Sequence, residues 1–185
     1  QENKISKLVS SIKPNRFCNG VKGTVSVLEL KSGQIEKNEL LVGDQLIFKA
    51  YDFRGIYPDQ FNEEIMERVG QAFVLHFQIK ELVLGWDMRI SSPQMSQAFI
   101  RGATKQGAKV ITLGLVSTDT VYFASGKYQM AGAMITASHN PKDYIGIKFC
   151  LSGAQPVGKE SGLTEMKELV LKNEFTDSEV LGQVE

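Results

Sequence analysis

The chain has 185 residues, 42% of them hydrophobic and 23% charged, with 21 Lys plus Arg against 21 Asp plus Glu. These figures describe an ordinary globular chain long enough to bury a sizeable core. The balanced charge gives no pull toward nucleic acid or a membrane surface, and no apolar run approaches the length of a membrane span. Two cysteines, Cys18 and Cys150, are too few for a disulfide framework and have no metal-ligand spacing, so a reduced cytoplasmic setting is the default.

The first 46 residues read differently from the rest. Ile5, Leu8, Val9 and Ile12 recur at helical spacing, and Val25, Leu28 and Leu30 suit a strand. A helix followed by a hairpin is expected there, as an extension without chemistry. From Leu46 the pattern is regular. Gln45 to Ala50 reads as a strand. Asn62 reads as the cap of a helix with Ile65, Val69, Phe73 and Phe77 on one face. Leu82 to Gly85 is a short buried strand. Ser92-Pro93 opens a helix, with Ser as cap, that buries Met95, Ala98, Phe99 and Ala103. Then follow a strand over Val110 to Leu113, a helix over Ser117 to Tyr128, strands over Ala131 to Ala137 and Tyr144 to Cys150, and a helix over Ser161 to Lys172.

Strands alternating with helices predict a three-layer α/β/α fold around a mixed, mostly parallel sheet. The loop Ser138 to Asp143 is too short for a helical crossover, so the last strand is antiparallel. This loop lies at a carboxyl end of the sheet, where open α/β sheets bind ligands.

Three clusters could carry chemistry. In Thr136-Ala137-Ser138-His139-Asn140-Pro141 a serine hydroxyl stands at a strand end, beside His139 and Asn140 as donors for phosphate oxygens and near Lys142 and Lys148. On residue types alone, a polar turn is the plainer reading. In Tyr51-Asp52-Phe53-Arg54-Gly55 the planar fork of Arg54 could clamp a phosphate, or simply pair at the surface with Asp52 or Asp59. In Gly85-Trp86-Asp87-Met88-Arg89 an Asp–Arg pair that fixes a loop is favoured over an anion site. There is no phosphate-binding glycine loop, no Gly-x-Ser-x-Gly elbow, and no spacing for a complete metal site.

Taken together, Phe48 to Gly55, Gly85 to Arg89, Gly114 to Asp119 with Tyr122-Phe123-Ala124, Thr136 to Lys148, and Gly153 to Val157 resemble the first domain of the α-D-phosphohexomutase superfamily. The match runs in order over residues 47 to 173. The Tyr-Asp-Phe-Arg-Gly string is similar to the phosphomannomutase/phosphoglucomutase branch, and Gly146-Ile147-Lys148-Phe149 suits phosphoglucosamine mutases too. Ile145 stands where the family usually has Asn, and Trp86 where Arg is common.

The resemblance implies an enzyme of four domains around a cleft that moves phosphate between C1 and C6 of mannose or glucose. Ser138 would carry the phosphoryl group, passing it to a sugar monophosphate through a hexose 1,6-bisphosphate. Arg54, Lys148 and His139 would be catalytic, and Tyr51 and Asn140 would contact substrate. Mg²⁺ would bind the Ser138 phosphate together with aspartates of a second domain. The partners implied are the sugar phosphate and the remaining domains of the same polypeptide. Residues 174–185 would lead toward that second domain. The chain then reads as an excised or truncated piece that does not isomerise sugars alone. A phosphoglucosamine mutase is the alternative within the family, and a non-catalytic phosphosugar-binding module the alternative from another class.

Overall fold

A computed structural model describes the backbone of residues 47–48 and all of residues 52–185. The helix and hairpin expected over residues 1–46, and Tyr51, lie outside the described residues. The elements in chain order are β1 (Ile47–Phe48), β2 (Phe53–Ile56), α1 (Glu63–Phe77), β3 (Glu81–Trp86), α2 (Ser92–Lys105), β4 (Lys109–Leu115) and α3 (Thr118–Tyr128). They continue with β5 (Ala131–Ile135), β6 (Tyr144–Leu151), β7 (Gln155–Pro156), a 3₁₀ turn (Lys159–Ser161) and α4 (Leu163–Lys172).

The sheet order is β1-β2-β6-β5-β3-β4, with β7 paired to β6. β3 pairs parallel with both β4 and β5, whereas β6 runs antiparallel to β5 and to β2. Strands β2 to β5 therefore share one direction and β6 opposes them, the mixed and mostly parallel sheet expected from the alternation of elements. Side chains alternate across it with the two-residue period of a strand. Leu82, Leu84, Ala133, Ile135, Ile147 and Phe149 join the large core under α1, α2 and α4. Val83 and Met134 face the other way, against Val121 and Ala124 of α3. Among the described residues, no helix is long and apolar enough to cross a membrane.

Local chemistry explains the helix starts. Asn62 is extended, and its side chain accepts the Ile65 N–H at 3.1 Å, while Glu63 and Glu64 sit in the positive first turn. Asn62→Ala should cost about 1 kcal/mol, read as a lower urea midpoint at unchanged slope. The start of α2 differs from expectation. Ser91, not Ser92, occupies the cap, in an α-region backbone with no side-chain capping bond. The Ser92 hydroxyl instead donates to Asp87 Oδ1 at 2.6 Å, so it fixes the preceding loop.

The sequence assigns no element to Phe53–Ile56, where β2 forms. Its alternation is hidden by polar residues. Phe53 is fully buried in the large core, and Arg54 is buried as well, at 6% exposure. At the far side of the sheet the last residues lie along β4. Val110 N–H donates to Gln183 O at 2.8 Å, Glu185 N–H to Val110 O at 2.9 Å, and Thr112 N–H to Glu185 O at 2.7 Å.

Where α1 crosses α2, two glycines meet backbone. A Cβ on Gly102 would lie 1.9 Å from Glu67 O, and one on Gly70 would lie 2.5 Å from Phe99 O. The helices approach so closely that neither position has room for a side chain.

Candidate active site

The Ser138 loop grows out of a wholly buried strand. Each residue of β5 is small or apolar and buried, which sets the strand rigidly in the sheet. Thr136 is still tied in, its N–H donating to Gly146 O of β6 at 2.9 Å. Its hydroxyl then accepts the Ser138 N–H at 2.8 Å, a side-chain turn that bends the chain out of the sheet. Ser138 has φ of +54°, a left-handed conformation that a residue with a Cβ adopts at a cost. The turn closes with Asn140, whose N–H and side-chain amide both donate to Ala137 O, at 3.1 and 2.8 Å.

The result is an exposed serine on a rigid base. Ser138 Oγ lies 3.3 Å from His139 Nδ1, so these two predicted site residues are brought together. Asn140 is in the same turn, with its amide engaged by the backbone. Lys142 is exposed.

A second group forms on the neighbouring strands. Arg54 on β2 stands opposite Gly146 on β6, and Lys148 on β6 stands opposite Met134 on β5. The pleat places Arg54 and Lys148 on one face, away from Phe53 and Ile147. A Cβ on Gly146 would meet Phe53 O at 2.8 Å and Thr136 O at 2.9 Å, so only glycine lets β2, β6 and the base of the loop close together here. Asp52 Oδ2 binds the Arg54 guanidinium and also Lys148 Nζ, at 3.3 Å. Arg54 thus pairs with Asp52, though it is buried and not on the surface.

One carboxylate between two cations leaves the trio with a net positive charge. Among the described residues, Asp52 Oδ1 and Arg54 Nε are buried side-chain atoms without a hydrogen-bond partner. A buried N–H without a partner carries an uncompensated desolvation cost. From the sequence, Asp52 is expected only as a surface partner for Arg54. The signal for its position was its two-residue spacing from Arg54, which puts both on one face of an extended segment.

In the third cluster the Asp–Arg pair is present. Asp87 Oδ2 accepts Arg89 Nε at 3.2 Å, and Asp87 Oδ1 accepts the Arg89 backbone N–H at 3.1 Å. Cys150 is a free, buried thiol. Burial pushes it up from its ordinary range, against opposing bonds from Ser125 and the Gly132 backbone, so it is unsuited as a nucleophile. Among the described residues, no three or more His, Cys, Asp and Glu side chains are grouped to hold a metal ion.

Residues 45–177 match the family model for phosphoglucomutase/phosphomannomutase, alpha/beta/alpha domain I. The chain belongs to this family. Phosphohexose mutases of Xanthomonas campestris pv. campestris are 40% identical over 124 residues, 66% of this chain and 28% of theirs. A phosphomannomutase of Vibrio cholerae is 38% identical over 141 residues, 73% of this chain and 30% of its own. The crystal structure of a phosphoglucomutase/phosphomannomutase family protein from Burkholderia thailandensis matches with a TM-score of 0.66 at 27% identity, over 74% of this chain and 32% of that one. This phosphohexomutase domain I chain therefore spans less than a third of the length of these relatives. Its Ser138 loop and its Asp52–Arg54–Lys148 trio both fall within the matched residues.

Proposed function

We propose that this chain serves as the phosphoserine-bearing domain of a mutase that interconverts hexose 1-phosphate and hexose 6-phosphate, with mannose or glucose as the sugar. The observation that carries this reading is the exposed Ser138 hydroxyl, held in a left-handed turn at the carboxyl end of a buried strand. The names of the relatives supply the reaction class.

In the first half-reaction the bond from phosphorus to Ser138 Oγ breaks as a bond to a sugar hydroxyl oxygen forms. The hydroxyl proton leaves that oxygen, and one proton returns to Oγ. His139 Nδ1 is placed to hand that proton over. The sugar then carries phosphate at both C1 and C6. The reverse step returns the other phosphate to the serine. A serine-borne phosphate carries roughly −1.5 to −2 charge near neutral pH, so nearby cations matter more than covalent chemistry. Arg54 and Lys148 are assigned as cations for this charge, and Tyr51 and Asn140 are assigned to the sugar. Magnesium would neutralise the phosphate further, with its remaining ligands coming from outside the described residues.

The test is a phosphopeptide map of the full-length mutase after incubation with glucose 1,6-bisphosphate. Phosphate is expected within Ala131 to Lys142, on Ser138, and absent in Ser138→Ala. Phosphate confined to Ser91, Ser92 or Ser152 would overturn the assignment.

A further inference from the structure

The guanidinium of Arg89 is saturated by one loop. Its Nη1 donates to Pro141 O at 2.7 Å and to Tyr144 O at 3.1 Å. Its Nη2 donates to Ser138 O at 2.9 Å and to Asn140 O at 2.8 Å. Its Nε donates to Asp87 Oδ2 at 3.2 Å. An arginine has five N–H donors, and all five are accounted for. Three of them hold backbone carbonyls in the loop that bears Ser138, and a fourth holds the Tyr144 carbonyl where that loop enters β6.

We propose that Arg89 is the positioning residue of the Ser138 turn, holding it in the conformation that presents Oγ. This rests on the reading that Ser138 carries the phosphoryl group. The left-handed φ of Ser138 is unfavourable for a serine, so something must over-determine it. The Thr136 hydroxyl holds the Ser138 N–H, and Arg89 holds the Ser138 carbonyl, so the residue is gripped from both sides. Arg89 is itself seated firmly. Asp87 holds it, Ser92 Oγ holds Asp87, and the Asp87 N–H donates to Ile135 O at the end of β5.

The saturation also settles what Arg89 does not do. With no N–H left over, it cannot form a forked bond with a phosphate as an anion clamp would. Its charge acts through the loop instead. Carbonyl oxygens beside a phosphate dianion would repel it, and bonding four of them to a cation offsets that repulsion. Lysine keeps the charge but lacks the planar fork, so it cannot hold these four oxygens at once.

The experiment compares Arg89→Lys with the unaltered chain by amide hydrogen exchange and by phosphate uptake. The Ser138, Asn140 and Tyr144 amides are all bonded inside the loop, to Thr136 Oγ1, Ala137 O and Pro141 O. In Arg89→Lys their exchange should quicken about tenfold while amides of β3 and β5 stay within about twofold, the mark of local opening. Asp87→Asn should move the same amides in the same direction by less. In the full-length mutase, Arg89→Lys should lower the rate constant of Ser138 phosphorylation about tenfold, with half-saturation by glucose 1,6-bisphosphate nearly unchanged, because orientation and not binding is lost. Equal quickening throughout the sheet, or none in the loop, would overturn the proposal. If the unaltered protein never takes phosphate on Ser138, the reaction assignment fails, and the exchange measurement still decides whether Arg89 holds the turn.

Discussion

Lys148→Ala should lower turnover of the full-length mutase by about a hundredfold, the usual scale for a positioned charge-stabilising or proton-transfer group. The measurement is a coupled assay of mannose 1-phosphate conversion to mannose 6-phosphate, and unchanged turnover would remove Lys148 from the mechanism. Lys148 is the cleaner of the two cationic probes. Its side chain is 25% exposed, and Asp52 keeps its buried bond to Arg54 when the lysine is gone. Arg54→Ala should impair turnover similarly, but it also strips a buried carboxylate of its closest partner. Breaking a buried pair from one side costs about 3–5 kcal/mol, less whatever Lys148 restores. Arg54→Ala therefore needs its urea midpoint measured beside its rate.

The largest effect on folding is expected at the crossing of α1 and α2. Gly102→Ala puts a methyl group 1.9 Å from a backbone oxygen, that of Glu67, which no side-chain rotation can relieve. The helices must separate, and the packing of Phe73 against Phe99 and Phe149 moves with them. A loss of about 3 kcal/mol, at the upper end of the range for overpacking, should appear as a lower urea midpoint with an unchanged slope. A midpoint equal to that of the unaltered chain would mean that the crossing is looser than described.

Much of this arrangement could be read from the chain because the signals were local. Asn62 caps α1 through a bond three residues away, and the helices after it follow apolar stripes. The antiparallel β6 followed from the shortness of one loop. The strand β2 was missed because Asp52 and Arg54, buried on one face, look like surface residues when only their types are known. Ser92 is not the cap because it is already the first residue of α2, one place past Ser91, and its hydroxyl donates back to Asp87.

The site was legible as a set of strings, and not as a geometry. Thr136 to Pro141 announced a serine at a strand end, but its left-handed turn depends on the Thr136 hydroxyl and on Arg89. Arg89 lies 49 to 55 residues from the carbonyls that it holds, a separation that no local pattern spans. In the same way, Asp52 meets Lys148 across 96 residues, and only the pairing of β2 with β6 brings them together.

The segment laid along β4 has a consequence for how the protein behaves in concentrated solution. Without it, Val110 and Thr112 would each turn an unbonded amide outward from the border of the sheet, an invitation to another molecule's backbone. By occupying that border with its own residues, the chain shields itself from sticking to its copies. Deleting residues 178–185 should therefore first show itself as self-association.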